Sequence, residues 1–492
     1  MKLYIINHTF HYEIENLTRV FFPNEKIEIV RDVNINLDNV TAPSIITQIV
    51  DTDIMVQLVL DDYNKSRKVS AVCTQAEEEP SEYQERIMAI TLYKILVDYT
   101  GMTPPWGILT GVRPIKLFRK MTDEYGVDYT KDYFKNKLLV SDEKIQLAEE
   151  TEKNEQAVLR MSSDNSYSLY VSIPFCPTRC SYCSFVSQSV EKTKKLVEPY
   201  VDLLCKEIEY TANIVKNLNL KLETVYIGGG TPTTLNADQL SRLLSVINNN
   251  FPMEQCKEFT VEAGRPDTIT KDKLQAILQG GADRISINPQ TMNDEILTAI
   301  GRKHTAQQTI DAFKLAREVG FTHINMDLIV GLPDESFESF KNTLDIITNL
   351  DPESITVHTL SMKRSSNLTA QGMKLLKHNA EEASKMHTYC KKVLSEKGLR
   401  PYYLYRQSRM VGNLENIGYS KQGNDGLYNV YIMDETHTIL ACGAGGVTKL
   451  KNSKTGQLER IFDYKYPYEY IDKFDEMLKR KDAIKDFYEK IL

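Results

Sequence analysis

The chain has 492 residues, of which 41% are hydrophobic and 26% are charged, and its formal net charge is −7. This length is too great for one simple core, so two or three domains are expected. Basic and acidic residues are interspersed without a basic stripe, which argues against a nucleic-acid partner, and no window reaches the roughly 18 apolar residues of a membrane span.

Residues 1–160 are expected to form a separate α+β accessory domain. β-type runs at residues 45–50 and 55–60 precede a helical stretch at about 81–99. Residues 104–120 contain the only tryptophan and four basic residues. Both a docking surface and a substrate contact are open interpretations of this segment.

Residues 161–375 have the pattern of a parallel α/β domain. Short β-rich runs alternate there with amphipathic helical periods, and the six runs lie at 169–173, 224–227, 258–261, 284–287, 323–326 and 354–357. One helix is predicted to begin at Pro199 and another to end at Gly280. The first of these helices should bury a face made of Tyr200, Leu204, Ile208 and Val215. Repeated βα units predict a parallel sheet.

Residues 376–492 are expected to form a small β-rich and helical C-terminal domain that covers the substrate. A helix over 380–397 should end at Gly398, and β-type runs follow at 402–405, 428–432 and 438–441. Terminal helices close this predicted domain.

A cysteine triplet follows the first β-rich run of the parallel domain. Cys176, Cys180 and Cys183 are spaced as C-x-x-x-C-x-x-C, and the other five cysteines are scattered, which predicts a reducing compartment, the cytosol by default. Three thiolates can hold three irons of a [4Fe-4S] cluster and leave one iron open to a small molecule. A structural zinc site is the alternative, although zinc usually requires a fourth ligand.

This triplet after a strand resembles the radical S-adenosylmethionine (SAM) enzymes. The resemblance implies a partial (β/α)6 barrel in which the open iron binds the amino and carboxylate groups of SAM, one or two molecules of it. Electron transfer to SAM would then give a 5′-deoxyadenosyl radical. A low-potential cluster implies a flavodoxin or ferredoxin-type electron donor, and oxygen sensitivity is expected.

The same resemblance assigns residues to SAM. A run of glycines precedes Thr231, and its amides can bond a ligand; Gly229, Gly230 and Thr231 are assigned to the SAM amino group. Arg302 is assigned to the carboxylate, because a guanidinium pairs with it bidentately. The remaining polar groups of SAM are assigned to Tyr170, Glu262, Gln290 and Asp327. Tyr170 is also assigned a catalytic role. Each of these residues taken singly is equally compatible with a cap or an ion pair.

Residues 170–327 closely resemble the oxygen-independent coproporphyrinogen III oxidase (dehydrogenase) family, and the N-terminal domain with residues 402–419 resembles its HemZ-type branch. The implied reaction decarboxylates two propionates of coproporphyrinogen III to vinyl groups and gives protoporphyrinogen IX. Its substrate is a tetra-anion, for which the candidate basic residues are Arg113, Lys363, Arg364, Arg406 and Arg409. Candidates for orienting the substrate are Asn413, Asn416 and Tyr419.

Two positions depart from the family pattern. Ser172 stands where the decarboxylases carry histidine, and Phe185 stands where they carry a further cysteine. Because serine does not titrate near neutral pH, any proton relay through that histidine is absent or supplied elsewhere. A phenylalanine at position 185 is a point of resemblance to the haem chaperones. The alternatives are therefore a haem-binding protein, with His358 as a candidate axial ligand, and another radical SAM enzyme, such as a methyltransferase or a haem-opening enzyme.

Overall fold

A computed structural model describes residues 1–31, 40–73, 78–185, 187–361, 370–407 and 409–490, with the backbone alone for 370–379. The predicted substrate residues Lys363 and Arg364 lie outside these residues. The chain divides into two compact units. The first comprises Met1–Glu150 and Tyr405–Glu415, and the second comprises Thr151–Leu404 and Asn416–Leu492.

The first unit contains a five-stranded mixed sheet with the strand order β2-β1-β3-β4-β5. Its strands are β1 (Lys2–Ile6), β2 (Glu28–Val30), β3 (Ser44–Val50), β4 (Asp53–Leu60) and β5 (Tyr63–Ser70). Its helices are α1 (His11–Phe21), α2 (Pro80–Thr100), α3 (Pro114–Tyr125) and α4 (Val127–Asp132), and the boundary between the units falls within α5 (Asp142–Leu159). The predicted strands at 45–50 and 55–60 and the helix at 81–99 are confirmed.

Trp106 lies in the core of this first unit. Its side chain is fully buried, and its indole Nε1 donates a hydrogen bond to Glu415 Oε2 at 2.7 Å. Lys144 Nζ donates to the other carboxylate oxygen at 2.7 Å, and the Arg406 guanidinium lies 5.6 Å from the indole centroid. Burial lowers the pKa of Arg406 to about 10, and this side chain donates to the backbone carbonyl of Leu109. Trp106 and Arg406 therefore belong to the packing of this unit, and neither is a surface group.

The second unit is built on an eleven-stranded sheet with the order β14-β15-β13-β12-β11-β10-β9-β6-β16-β17-β18. The strands of the second unit are β6 (Ser166–Ile173), β7 (Phe175–Cys176), β8 (Gln188–Ser189), β9 (Lys221–Gly229), β10 (Glu258–Glu262), β11 (Arg284–Ser286), β12 (His323–Val330), β13 (Ser354–Thr359), β14 (Arg400–Tyr405), β15 (Asn416–Ser420), β16 (Thr438–Cys442), β17 (Val447–Lys451) and β18 (Leu458–Phe462). The six predicted strands are confirmed as neighbouring parallel strands, β6 and β9 to β13. Strands β7 and β8 pair separately.

Strands from the C-terminal region extend this sheet at both edges. β16 pairs in parallel with β6, and β15 pairs antiparallel with β13. Apart from Tyr405–Glu415, the described residues from 380 onward fall in the second unit with the strands to which they hydrogen-bond. The division into accessory, barrel and substrate-covering parts stays a prediction about function.

Helices of the second unit cover the sheet and connect its strands. They are α6 (Val190–Val215), α7 (Ala237–Asn250), α8 (Lys271–Gln279), α9 (Asp294–Ala299), α10 (Ala306–Val319), α11 (Phe337–Leu350), α12 (Ala370–Glu396), α13 (Leu427–Asp434), α14 (Pro467–Asp472) and α15 (Phe474–Glu489). The predicted buried face of α6 and the end of α8 at Gly280 are confirmed. Helix α6 begins at Val190 and not at Pro199, which therefore lies inside the helix. The backbone angles are non-helical at Thr193.

Helix α13 replaces the strand predicted at 428–432. The aromatic and β-branched run there suits a strand, but the carboxylate of Glu258 accepts hydrogen bonds from the amides of Leu427 at 2.7 Å and Tyr428 at 3.2 Å. Two amides of the first helical turn, which have no partner within a helix, are thereby satisfied by a side chain from β10. This contact is distant in sequence, so a local pattern does not reveal it.

Candidate functional site

A cavity of about 460 Å³ opens where β6 and β9 end and the cysteine loop begins. Its walls include Tyr170, Ser172, Phe185, Gly229, Gly230, Ala444, Phe462 and Lys465. The cavity lies at the C-terminal ends of parallel strands, where α/β barrels place their chemistry. The predicted location of the site is therefore matched by a cavity in the second unit.

The three cysteines of the triplet lie on the loop that follows β6. Cys180 is buried, and the other two thiols are partly buried. Burial raises the pKa of Cys176 and raises that of Cys183 to about 11, with smaller increases from the neighbouring cysteines. Within the described part of the chain, no three His, Cys, Asp or Glu side chains converge as metal ligands. Because thiolates are the metal-binding form, cluster insertion at this loop would release protons.

Arg302 lies against this loop. Its Nη1 donates to the carbonyl oxygens of Asn288 at 2.5 Å and Gly264 at 3.3 Å, and its Nε donates to Tyr182 Oη at 3.3 Å. Burial disfavours the charged guanidinium, but the adjacent phenol and the thiol of Cys180 raise the pKa of Arg302 above its ordinary value. Arg302 is thus a buried, charged group beside the cysteines, which suits its predicted role at a carboxylate.

Arg265 is a second buried guanidinium at the same loop, and sequence analysis missed it. Its Nη1 lies 3.1 Å from Thr178 Oγ1 and 3.9 Å from Cys180 Sγ. Its Nε and Nη2 each donate to a carboxylate oxygen of Asp267 at 3.0 Å. The available signal was position: a basic residue three places after Glu262, at the end of the third parallel strand. Tyr182, between two cysteines of the triplet, was missed in the same way.

The glycine run packs tightly beside the triplet. A β-carbon on Gly230 would lie 2.5 Å from the Phe175 carbonyl oxygen, and Gly229 has φ +106°. The amides of Gly230 and Thr231 donate at 2.7 Å to the carbonyls of Ile173 and Phe175, respectively. The expectation that these amides bond a ligand is corrected here, because their hydrogens already serve the protein. An amino group is itself a donor and requires carbonyl oxygens instead.

Glu262 and Asp327 interact inside the barrel, and their pKa values are shifted in opposite directions. Burial raises the pKa of Glu262 to about 7, although Tyr226 donates to its Oε1 at 2.6 Å. Burial also opposes ionisation of Asp327, but His358, 3.6 Å away, and a hydrogen bond from Asn325 hold its pKa below the ordinary value. Asp327 is therefore an ionised acceptor at neutral pH, while Glu262 is divided between its two forms.

Gln290 has the geometry of a residue held for a ligand. It adopts φ +69°, and its amide donates to the Asp327 carbonyl oxygen at 2.9 Å. Its buried side-chain Oε1 has no hydrogen-bond partner among the described residues. A buried acceptor without a partner costs free energy, which binding of a hydroxyl or amino group would recover.

Tyr170 belongs to a stack of three aromatic rings. Its ring lies 6.3 Å from that of Tyr226 and 6.1 Å from that of Tyr428, and the latter two are 4.4 Å apart. Ser172, two positions further along β6, donates its hydroxyl to the Ala444 carbonyl oxygen at 2.8 Å. The serine at the departing position is therefore fixed to the loop after β16.

The donor types of these residues suit the two expected cofactors, and the three thiols would have to draw together from their positions in this structure to hold a cluster. The thiols share one loop, a glycine cradle excludes β-carbons, and Gln290 presents an unsatisfied buried acceptor. Cys176, Cys180 and Cys183 would hold the cluster. The residues predicted from the sequence to bind SAM remain Tyr170, Gly229, Gly230, Thr231, Glu262, Gln290, Arg302 and Asp327.

Other substrate candidates are engaged within their own units. Asn413 lies in the first unit, where its backbone carbonyl accepts a hydrogen bond from Arg406 Nη2 at 3.2 Å, while its buried side-chain Nδ2 has no hydrogen-bond partner among the described residues. Asn416 Oδ1 accepts a hydrogen bond from the Thr359 amide at 2.8 Å, and Tyr419 is buried in β15. Arg113 and Arg409 are both in the first unit, which leaves their predicted substrate role a prediction.

Known proteins resemble both the barrel and most of the chain. The model of the Radical SAM superfamily matches residues 170–347. The oxygen-independent coproporphyrinogen-III oxidase-like protein HemZ of Bacillus subtilis (strain 168) is 39% identical over 82% of this chain and 82% of its own length. Heme chaperone HemW of the same organism is 31% identical over 57% of this chain and 70% of its own length. Oxygen-independent coproporphyrinogen III oxidase of Salmonella typhimurium is 34% identical over 41% of this chain and 43% of its own length.

No helix among the described residues is long and apolar enough to cross a membrane. The fold, the arrangement around the cysteine loop and the extent of these similarities all indicate the same family. The chain belongs to the radical SAM superfamily, within the oxygen-independent coproporphyrinogen III oxidase-like family and its HemZ-type branch, and its cofactors are a [4Fe-4S] cluster and SAM.

Proposed function

We propose that this protein oxidatively decarboxylates two propionates of coproporphyrinogen III and gives protoporphyrinogen IX. The observation that carries the proposal is a single cavity that joins Tyr170 and Gly229 to a rim containing Lys465. The 39% identity to the coproporphyrinogen oxidase-like HemZ supports the same reaction. A flavodoxin or ferredoxin-type protein would supply the electron.

The chain's own residues bind and orient in this reaction. The cysteine triplet would hold the cluster, and the cofactors when bound supply one-electron reduction and hydrogen-atom abstraction from the substrate. Arg302 presents a permanent positive charge to a carboxylate, and the ionised Asp327 accepts hydroxyl hydrogens.

The cavity rim suits a substrate that is both aromatic and anionic. Phe185 and Phe462 are 60% and 57% exposed, and both line the cavity together with Lys465. Exposed phenylalanines offer apolar surface to a tetrapyrrole, and an ammonium offers a partner to one propionate. The hydroxyl of Ser172 already donates to Ala444, so the proton role of the family histidine does not pass to that serine.

The test is an anaerobic assay of cluster-reconstituted protein with SAM, a reductant and coproporphyrinogen III, in which deoxyadenosine and porphyrin mass are followed together. Stepwise loss of two carboxyl groups coupled to deoxyadenosine is expected. A variant with all three triplet cysteines changed to alanine should lose both products, whereas Cys205→Ala, at a cysteine outside the loop, should keep them. Deoxyadenosine without porphyrin change would contradict this substrate and favour another radical SAM reaction.

Haem binding is the second candidate function, and the phenylalanine at position 185 favours it. Decarboxylases of the family carry cysteine at this position, and HemW, a heme chaperone, is 31% identical to this chain. His358 would be one candidate axial ligand, although Asp327 lies 3.6 Å from its Nε2. A stoichiometric haem adduct with no porphyrinogen turnover, lost in His358→Ala, would support this function over decarboxylation.

A further inference from the structure

Arg265 links two loops at the centre of the cysteine triplet. The residue is 3% exposed and follows β10, three positions after Glu262. Its Nη1 approaches the Thr178 hydroxyl at 3.1 Å and the Cys180 sulfur at 3.9 Å. The other edge of the guanidinium forms a bidentate pair with Asp267, at 3.0 Å for both bonds. A planar fork holds such a geometry, whereas a lysine ammonium presents a single point of charge.

The cysteine loop is anchored around this contact. Thr178 Oγ1, which faces Arg265, also donates to the Gly301 carbonyl oxygen at 2.9 Å, and the Ser181 amide donates to that of Ile300 at 3.0 Å. A β-carbon on Gly301 would lie 3.3 Å from the Arg179 carbonyl oxygen, so the two segments are in close contact. The middle of the triplet is therefore fixed from one side, by the segment that leads into Arg302.

The two guanidinium groups at Cys180 differ in how their charge is balanced. Asp267 neutralises Arg265, and the nearby His304 is uncharged at neutral pH, because burial and the two arginines lower its pKa to about 3. Arg302, by contrast, bonds two carbonyls, a phenol and the Cys180 thiol, with no carboxylate among its partners in the described residues. Only Arg302 therefore retains a full positive charge for an incoming carboxylate.

We propose that Arg265 is a positioning residue for the cluster, which fixes Cys180 and donates a hydrogen bond to its sulfur, while Arg302 is left to receive the SAM carboxylate. This division of roles rests on the proposed assignment of the triplet to the cluster. Hydrogen bonds to ligating sulfurs stabilise the reduced, more negative cluster and so raise its reduction potential.

The experiment compares Arg265→Gln with Arg302→Gln in reconstituted protein. Iron per chain, the cluster midpoint potential from an EPR redox titration, and the Kd for SAM are measured for each. Arg265→Gln should shift the reduction equilibrium about tenfold toward the oxidised cluster, 59 mV for a one-electron couple, at an unchanged SAM Kd. Arg302→Gln should weaken SAM binding at least tenfold. The matched control is Arg317→Gln, which breaks the Arg317–Glu353 pair in the same unit, away from the triplet.

A normal potential in Arg265→Gln with full iron content would overturn the proposal while leaving the cluster assignment intact. Loss of SAM affinity in that variant, equal to the loss in Arg302→Gln, would overturn the division of roles. A full cluster spectrum in the triple cysteine-to-alanine variant would instead contradict the cluster assignment itself. If Arg265→Gln does not fold, Thr178→Val removes one anchor of the same contact and should lower the potential in the same direction, and an unchanged potential there also counts against the proposal.

Discussion

The phenol of Tyr226 donates a 2.6 Å hydrogen bond to Glu262, and its ring stacks on that of Tyr428 with 4.4 Å between the centroids. The two bonded residues occupy neighbouring parallel strands, β9 and β10. A hydrogen bond and an aromatic stack thus meet in one side chain. The ring supports Tyr170 at the cavity wall, while the hydroxyl fixes a carboxyl group assigned to the cofactor.

Tyr226→Phe keeps the stacked ring and removes only this donor. The partly buried carboxyl of Glu262 then loses a partner, which is expected to cost about 1–3 kcal/mol of unfolding free energy. Urea unfolding at pH 8 measures the difference. Tyr210→Phe is the control, since its hydroxyl donates to Asp482 on the surface, and its midpoint should barely move. Equal losses in the two variants would contradict a special role for the buried bond.

Glu262 should make stability depend on pH in an unusual direction. Its pKa is about 7 in the folded protein against an ordinary value of 4.5, so as pH rises the unfolded chain releases this proton first. Stability contributed by this group therefore declines between about pH 4.5 and 7, by on the order of 3 kcal/mol, and is flat outside that window. Glu262→Gln should lack this decline. Urea midpoints at pH 5 and pH 8 measure this decline in the parent protein and in Glu262→Gln. Parallel pH profiles for these two proteins would contradict the prediction.

Gly230→Ala should disturb the contact between the glycine run and the cysteine loop. The added carbon would meet the carbonyl oxygens of Phe175 and Ile173 at 2.5 and 2.8 Å, which forces the backbone to move. The free energy of unfolding is expected to fall by roughly 1–3 kcal/mol, and less iron should be retained after reconstitution. Gly111→Ala is the matched control, because no atom lies within 4 Å of its added carbon. Full iron retention in Gly230→Ala would show that the loop tolerates the shift.

Lys481 is a buried cation between two buried carboxyl groups, and burial raises the pKa of one of them, Asp463, well above its ordinary value. Its Nζ lies 2.9 Å from Glu207 and 2.8 Å from Asp463, and all three side chains are inaccessible to solvent. Lys481→Met leaves two uncompensated acids, which should cost roughly 3–5 kcal/mol. Lys271→Met, which breaks an exposed pair with Glu318, should change stability by about 1 kcal/mol or less. Thermal unfolding of both variants compares them, and a small effect at Lys481 would indicate that one acid takes up a proton instead.

The parallel strands were predictable because each is a short buried run that carries its own signal. Residues 224–227 and 354–357, for example, lie inside the observed β9 and β13. Helix α13 was not predictable, because its first amides depend on Glu258, about 170 positions earlier. The start of α6 was misplaced for a local reason: Pro199 resembles a first-turn proline but lies within a helix whose irregularity is at Thr193.

Within the site, motif positions were easier to predict than their contacts. The triplet and the glycine run have spacing that is visible in the sequence, and both lie beside the cavity. The use of the Gly230 amide was not visible, because it depends on the register in which the end of β6 pairs with β9. Arg265 was missed because a single arginine after a strand resembles any surface charge until its burial is known.

The pairing of β6 with β16 has a consequence for how the protein is made. The serine of β6 and the alanine that accepts its hydrogen bond are separated by 272 positions, so a ribosome finishes the cysteine loop long before the strand that flanks it. Until then β6 presents one open edge, and open edges invite pairing with other chains. The nascent chain therefore carries the thiols predicted to bind the cluster beside a strand with an unpaired edge. Early termination would leave those thiols in a protein prone to aggregate.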